Sequence, residues 1–397
     1  MRRVVIAGAY MTPFGRFMDA TLRSLATEAT VGAIADAQAE ISDVEAVYFG
    51  NAAGGLLVNQ ECVRGQVALR ETGLLGRPVI NVENACASSS TAFHLAWLAV
   101  AAGQHDVVLA IGAEKMSNAD RRVPLRALEG AADAEELIEL KKRIGAPLDE
   151  PTGSVFMDLY AHLARGYMHD AGATREDFAA VTVKSRQAAF ANERAQFRTP
   201  TDERSVLAAR MIADPLTLPM CSAIGDGAAA LILTTAEFAR SRGLPAIEVR
   251  ASVVMSGMAS DSTAAPVAQR AAARAYEVSG IGPRDLGVVE LHDAAAPAEL
   301  MLYEQLGLAE AGGGVALLRS GSTGIGGKLP VNPSGGLISK GHPIGATGCG
   351  QLVELANQLR GRCGARQAAD PKVALAENGG GWLGHDAAAA VVTILSV

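Results

Sequence analysis

Along most of the chain, short apolar runs alternate with longer stretches whose apolar positions recur at helical spacing. That is the pattern of an α/β protein with covered sheets. The short runs predict strands at 4–7, 46–49, 107–111, 229–234, 247–254, 288–291, 373–376 and 388–395. Phe93, Ala96, Trp97 and Val100 share one helical face, as do Leu352, Leu355, Ala356 and Leu359, and both stripes read as core. Between about residues 118 and 214 the pattern changes. Segments 129–142 and 174–204 carry more charge and few strand-like runs, which predicts a mostly helical insert. Such an excursion either roofs a binding site or stabilises a dimer. The expected organisation is a first lobe at 1–117 and 215–245, an inserted domain at 118–214 and a second lobe at 246–397.

The two lobes echo one another. Asn84-Ala85-Cys86-Ala87-Ser88-Ser89-Ser90 opens the helix carrying Phe93 and Trp97, and the strand at 107–111 follows. Gly341-His342-Pro343-Ile344-Gly345-Ala346-Thr347-Gly348 opens the helix carrying Leu352 and Leu359, and the strand at 373–376 follows. Matching turns of small residues place two helix N-termini at one interface, where backbone can approach a ligand closely. At such a turn the positive end of the helix dipole is expected to lower the Cys86 thiol pKa. His342, held between Gly341 and Pro343, is the candidate base. The alternative is a packed cysteine and a histidine that caps a turn.

Composition narrows the class. Of 397 residues, 49% are hydrophobic and only 4% aromatic, so the core is built from Ala, Val, Leu and Ile. A formal net charge of −7 argues against nucleic acid. Two basic knots, Arg121-Arg122 and Lys141-Lys142-Arg143, are either solvated loop charges or contacts for a phosphorylated small molecule. No run approaches the ~20 apolar residues of a membrane span, so a cytoplasmic protein is expected. Five cysteines without a C-x-x-C pair suggest neither a disulfide framework nor a metal site. Each is a buried small residue or a reactive thiol.

The Cys86 and His342 segments, together with Cys221-Ser222-Ala223-Ile224-Gly225-Asp226-Gly227, His292-Asp293-Ala294 and Asn332-Pro333-Ser334-Gly335-Gly336, run collinearly over essentially the whole chain. In this order they resemble the signatures of the thiolase family, and of its sterol-carrier-protein-type branch in particular. The resemblance implies two similar βαβαβαββ halves in an α-β-α-β-α five-layer arrangement, an inserted loop domain, and a homodimer or homotetramer. It implies an acyl-CoA C-acyltransferase, active in thiolytic cleavage or Claisen condensation, with coenzyme A thioesters as substrates and no separate cofactor. Cys86 is the implied nucleophile and His342 its activator. His292 is implied to bind the thioester oxygen together with His342, and Gly379 to complete a second oxyanion hole with the Cys86 N–H. Ser222 and Asn332 are the implied substrate or CoA contacts.

The sequence also departs from the family. Where thiolases carry a second cysteine as acid and base, this chain reads Glu377-Asn378-Gly379-Gly380-Gly381 and His292-Asp293-Ala294-Ala295. Glu377 is the candidate replacement; otherwise it is a solvated or ion-paired strand-end residue. Ala294 and Ala295 either widen the pocket or leave a gap for a partner, such as the small oligonucleotide/oligosaccharide-binding-fold proteins that accompany sterol-carrier-type relatives. Two other functions stay open: a thiolase-fold aldol-lyase on a β-hydroxyacyl-CoA, and a non-catalytic acyl-CoA or lipid binder.

Overall fold

In the computed structural model, which describes residues 2–148, 154–258 and 263–397, the predicted apolar runs all become strands. Residues 149–153 of the expected insert and 259–262 of the expected second lobe lie outside the described residues. In chain order the strands are β1 (Val4–Met11), β2 (Ala46–Gly50), β3 (Val79–Val82), β4 (Val107–Lys115), β5 (Met211–Ala213), β6 (Leu216–Thr217), β7 (Asp226–Thr235), β8 (Ile247–Ser256), β9 (Val288–Glu290), β10 (Val373–Gly380) and β11 (Ala389–Ser396). Apart from the β5–β6 hairpin they form one sheet in the order β3-β2-β4-β7-β1-β8-β11-β10-β9. The short edge strand β3 was not among the predicted runs: Asn81 interrupts Val79, Ile80 and Val82, which leaves too short an apolar run to stand out.

The halves repeat one design. In the first, β2 runs parallel to β3 and β4, and β4, β7 and β1 continue antiparallel. In the second, β9 runs parallel to β10 and bridges in parallel to Val331, while β10, β11 and β8 continue antiparallel. Within the sheet, the pairs Val5–Glu248 and Ile6–Ile247 join the halves, between β1 and β8.

Strand alternation sorts side chains into layers. Val4, Ile6, Val108, Ala110 and Leu231 of the first half, with Ile247, Val288, Ala374, Ala376 and Leu395 of the second, pack around the helices Ser88–Ala101 and Thr347–Leu359. The opposite faces, through Ala7, Leu109 and Ile111 or through Ala251, Leu375 and Val392, pack beneath the helices Leu22–Asp36 and Val267–Ser279. The halves of the continuous sheet thus face each other across these two central helices, and the outcome is five layers, helix-sheet-helix-sheet-helix.

A helix between two sheets has no solvent face, so small residues must let it approach and its polar residues must be paired. The first condition is met, and the second is met except at Gln351 Oε1, which has no hydrogen-bond partner among the described residues. Buried Gln351 donates to the Glu377 carbonyl at 3.0 Å, and buried Glu354 pairs with Arg366 at 3.0 Å. A Cβ at Gly348 would sit 2.7 Å from the Ser90 backbone N, so only glycine lets the two N-termini touch there.

The insert supplies the helices Arg122–Glu129, Leu137–Ile144, Val155–Ala171, Arg175–Phe190 and Glu203–Ala208. Thr174 and Asp177 form a capping box at the start of Arg175–Phe190. That helix is tied to the second half by Lys184, which donates to the Val331 carbonyl at 2.8 Å, and by Asn192, just beyond its end, which donates to the Ser334 carbonyl at 2.8 Å. Among the described residues no helix is long and apolar enough to cross a membrane.

Replacing Gly348 with Ala should lower the urea midpoint by the equivalent of about 1–3 kcal/mol, the usual cost of overpacking. Gly166, inside Val155–Ala171, is the control, because a Cβ added there would meet nothing within 4 Å. Gly166→Ala should raise the midpoint by up to about 1 kcal/mol.

Candidate active site

The turn after β3 presents Cys86. Ala85 adopts a left-handed conformation, φ 48°, and swings the chain into the short 3-10 turn Ala85–Ala87 that leads to the helix Ser88–Ala101. Ser88 fastens the turn, accepting from Asn84 N–H at 3.0 Å and donating to the Ala85 carbonyl at 2.6 Å. The end of β10 then packs onto it. A Cβ at Gly380 would lie 2.2 Å from the Asn84 carbonyl oxygen, so the glycine backbone there is obligatory. This contact brings the Gly381 N–H to the Cys86 sulfur.

The two histidines arrive from the second half. His292 follows β9, and its backbone N–H donates to Glu377 Oε2 at 3.0 Å. His342 follows Gly341, which has φ 111°, and its Nδ1 lies 2.7 Å from Thr347 Oγ1. One donor atom from each of Cys86, His292 and His342 falls within 4.8 Å of the others, and the imidazoles meet edge to face with centroids 5.1 Å apart. Such a trio has the ligand types that bind zinc, and the same convergence is what proton transfer requires.

Burial decides the charges. It pushes the Cys86 thiol up to about 12; the Gly381 and Cys86 N–H groups oppose it, while the carboxylates of Glu114 and Glu83 reinforce it. The lowered thiol pKa expected from the helix N-terminus is therefore corrected: desolvation by the surrounding protein raises it instead. His292 is pushed down to about 4 by burial. His342 is pushed well below its usual value by burial, with His292 and Lys340 adding to the effect. Thiol and imidazoles thus all rest neutral at pH 7.

Hydrogen-bond partners assign the tautomers. Thr347 Oγ1 donates to the Pro343 carbonyl at 3.1 Å, so it accepts from His342 Nδ1–H and leaves Nε2 as a base. Ser90 donates to Asn378 Oδ1 at 2.6 Å, and Asn378 Nδ2 donates to His292 Nδ1 at 2.8 Å. His292 therefore carries its proton on Nε2, as a donor. Two neighbouring histidines are held in opposite roles.

A cavity of about 760 Å³ opens over the trio, and Ser222, Ala294 and Gly379 line it as well. Exposed Arg16, Arg121, Arg122 and Arg210 also line it and mark its solvent end. Of the two basic knots, the first therefore reaches the site. Lys141 and Lys142 instead pair with Glu129 at 3.5 Å and Glu139 at 2.7 Å. Insert residues such as Pro124, Leu128, Phe156 and Tyr160 wall the cavity, so the insert roofs the site.

Three expected residues stand apart from this group. Glu377 lines a second, smaller cavity beside His292 rather than the larger one, and burial pushes its carboxyl up to about 7. Asn332, expected to contact substrate, lines neither cavity. Its Oδ1 accepts from Leu291 N–H at 2.9 Å and its Nδ2 donates to Glu299 at 3.1 Å, so it braces the chain just before His292. Gly379 lines both cavities, whereas the N–H aimed at the sulfur belongs to Gly381.

Sequence reasoning missed Asn378, Thr347 and Tyr160. Asn378 adjoins Glu377, and Thr347 sits five residues after His342 at the start of its helix, so both were within reach of a search for histidine partners. Tyr160 had no such signal. It comes from the insert, lines both cavities, and its ionisation is opposed by burial and by Cys86, Glu377 and Asp293.

Comparison with known proteins identifies the family and the fold. The family model "Thiolase, N-terminal domain" matches residues 4–202, and "Thiolase C-terminal domain-like" matches 251–396. The chain is 39% identical to an acetyl-CoA acetyltransferase of Methanothermobacter thermautotrophicus, over 96% of this chain and 97% of the relative. It is 38% identical to the benzoylsuccinyl-CoA thiolase subunit BbsB of Thauera aromatica, over 96% and 95%. Human sterol carrier protein 2 is 35% identical, over 95% of this chain and 70% of the relative. Among solved structures, the Ltp2-ChsH2(DUF35) aldolase superposes with a TM-score of 0.79 at 27% identity, over 98% of this chain and 97% of that one.

Because the thiol rests protonated, alkylation of Cys86 by iodoacetamide should accelerate about tenfold per pH unit from neutrality upward, without a plateau below about pH 10. Mass mapping of the labelled cysteine against pH measures this.

Proposed function

The chain belongs to the thiolase family of acyltransferases, and from that premise we propose that it transfers acyl groups between coenzyme A thioesters and carbon through an acyl-Cys86 intermediate. The observation that carries this reading is the convergence of a thiol, a basic imidazole and a donor imidazole within 4.8 Å beneath a large cavity. His342 Nε2 takes the Cys86 proton as sulfur attacks the 3-keto carbon of a 3-ketoacyl-CoA. The oxyanion that forms is received by the N–H groups of Cys86 and Gly381, the two that face the sulfur. Preorganised donors of this kind are typically worth about 10²–10³ in rate.

The intermediate collapses with cleavage of the bond between carbons 2 and 3, leaving the acyl group on Cys86 and the electron pair on carbon 2 of the departing thioester. His292 Nε2–H stabilises the enolate oxygen, together with His342 once it is protonated. Glu377 delivers the proton to carbon 2. Coenzyme A thiol then attacks the acyl-cysteine, releasing the second thioester and returning the thiol to Cys86. The reverse sequence is a Claisen condensation. A carboxyl held near pH 7 is suited to act as acid in one direction and base in the other. Ser222, whose N–H donates to the Ala294 carbonyl at 2.9 Å, stands beside the path of the pantetheine arm.

The assembly we favour is a homodimer or homotetramer. Its support is the open edge of β3 and the exposed apolar side chains of Leu56, Val58, Val63, Leu75 and Ile80 around it. The Ltp2-ChsH2(DUF35) assembly motivates a search for a small partner protein as well. Free cysteines throughout fit a reducing cytoplasm. That same neighbour favours a second reading, aldol cleavage of a β-hydroxyacyl-CoA, and a non-catalytic acyl-CoA binder is the third; retention of both Cys86 and His342 weighs toward acyl transfer.

Intact-mass measurement after mixing with acetyl-CoA should show a covalent acetyl adduct that is absent from Cys86→Ala. Tight binding without an adduct supports the binder, and cleavage of a β-hydroxyacyl-CoA by Cys86→Ala supports the lyase. Glu377→Gln should still acquire the adduct but lose about 10²–10⁴ in carbon–carbon bond cleavage, the usual contribution of a general acid or base. Unchanged cleavage by this variant would remove Glu377 from the mechanism.

A further inference from the structure

Among the described residues, one group of three metal-ligating side chains converges: Cys86, His292 and His342, with one ligand atom from each inside 4.8 Å of the others. Tetrahedral zinc holds sulfur at about 2.3 Å and nitrogen at about 2.0–2.1 Å, which sets ligand atoms roughly 3.3–3.6 Å apart. The trio therefore has at most ~1.5 Å to close, shared among three side chains. No spacing motif announces it, because the ligands come from three separate turns.

The surrounding hydrogen bonds suit the nitrogens to a metal. A ligating histidine donates its other N–H to an acceptor, which fixes the ring and keeps the ligating nitrogen basic. His342 already does so, through Thr347 Oγ1 at 2.7 Å. His292 reaches the same state when the Asn378 side-chain amide turns over. Oδ1 then accepts from His292 Nδ1–H, Nδ2 donates to Ser90 Oγ, and Ser90 donates instead to the Ala87 carbonyl, 3.0 Å away. Each group keeps a partner, and the His292 Nε2 lone pair is freed.

Charge and access point the same way. The carboxylates of Glu114 and Glu83, which oppose a thiolate at Cys86, favour a cation beside it. One sulfur and two nitrogens match zinc rather than magnesium or calcium, which take oxygen. The cavity of about 760 Å³ leaves the fourth position of the metal open to water.

We propose that Cys86, His292 and His342 form an inhibitory zinc site, in which Zn²⁺ held by one sulfur and two nitrogens blocks acylation of Cys86. Binding releases one proton, from the sulfur, while His292 keeps its own, moved from Nε2 to Nδ1. Metal binding is independent of the acyl-transfer reading, on which the block of acylation rests.

The test uses the reduced protein in thiol-free buffer, with Zn²⁺ or Mg²⁺ as the probe. Zn²⁺ should slow iodoacetamide labelling of Cys86 about tenfold or more and leave exposed Cys62 unchanged, whereas Mg²⁺ should leave both unchanged. The adduct formed from acetyl-CoA should fail to appear under the same Zn²⁺ and return when a chelator is added. Co²⁺ in place of Zn²⁺ should give a thiolate-to-cobalt charge-transfer band that is absent from Cys86→Ala. His292→Asn and, independently, His342→Asn should each weaken the protection of Cys86 about tenfold or more, and Thr347→Val about 10–100-fold. Buried Cys221, Cys349 and Cys363 should stay unlabelled in every variant, which confirms that each is folded. Protection that survives in both histidine variants means that the thiol alone holds the metal, and it overturns the inference, as does equal labelling with and without Zn²⁺. An adduct that still forms on zinc-protected protein overturns it too. Zinc protection in a protein that forms no adduct even without metal rejects the acyl-transfer reading and leaves the zinc site standing.

Discussion

The site depends on one steric constraint: three backbone segments must come within contact distance of each other at a point where no side chain fits. The N-termini of Ser88–Ala101 and Thr347–Leu359 meet through Gly348 and Ser90, and the end of β10 closes on the Cys86 turn through Gly380. Cys86 comes from one half of the molecule and both histidines from the other, so their geometry is only as good as this contact. Larger side chains in the central layer would hold the halves apart.

Burial also sets the electrostatics. Two helix N-termini at the reaction centre suggest a stabilised thiolate, yet the enclosing protein costs a charged sulfur more than the dipoles return. The thiol and both imidazoles consequently rest neutral, with protons placed by hydrogen-bond partners rather than by solution pH. A substrate carbonyl that takes up the negative charge as it forms turns this reserve to use, since donors in a dry site act strongly on developing charge. Glu114 shows the same balance at a supporting position. Burial raises its carboxyl to about 7 even though the N–H groups of Ala52, Ala53 and Gly345 and the Asn51 amide oppose the shift.

Much of this was legible in the chain. Apolar runs located the long strands, because strands covered on both faces must be apolar, and the paired small-residue turns located Cys86 and His342. Two kinds of feature were hidden. Edge strand β3 is half exposed and its apolar run is short and broken by Asn81, and Tyr160 reaches the site from an insert whose sequence shows charge rather than chemistry. Asn332 misled for a different reason. Its motif belongs to the site's framework, and only the hydrogen bonds to Leu291 and Glu299 separate bracing a catalytic loop from touching a ligand. The thiol pKa depends on burial, which no local motif reports.

The central claim is that neutral histidines in opposite tautomers flank a neutral thiol. Nitrogen-15 NMR of the imidazoles at neutral pH tests it most directly, with His292→Asn and His342→Asn used for assignment. The account predicts two neutral rings, His342 protonated on Nδ1 and His292 on Nε2. An imidazolium signal that disappears in Cys86→Ala, or two rings in the same tautomer, would contradict it.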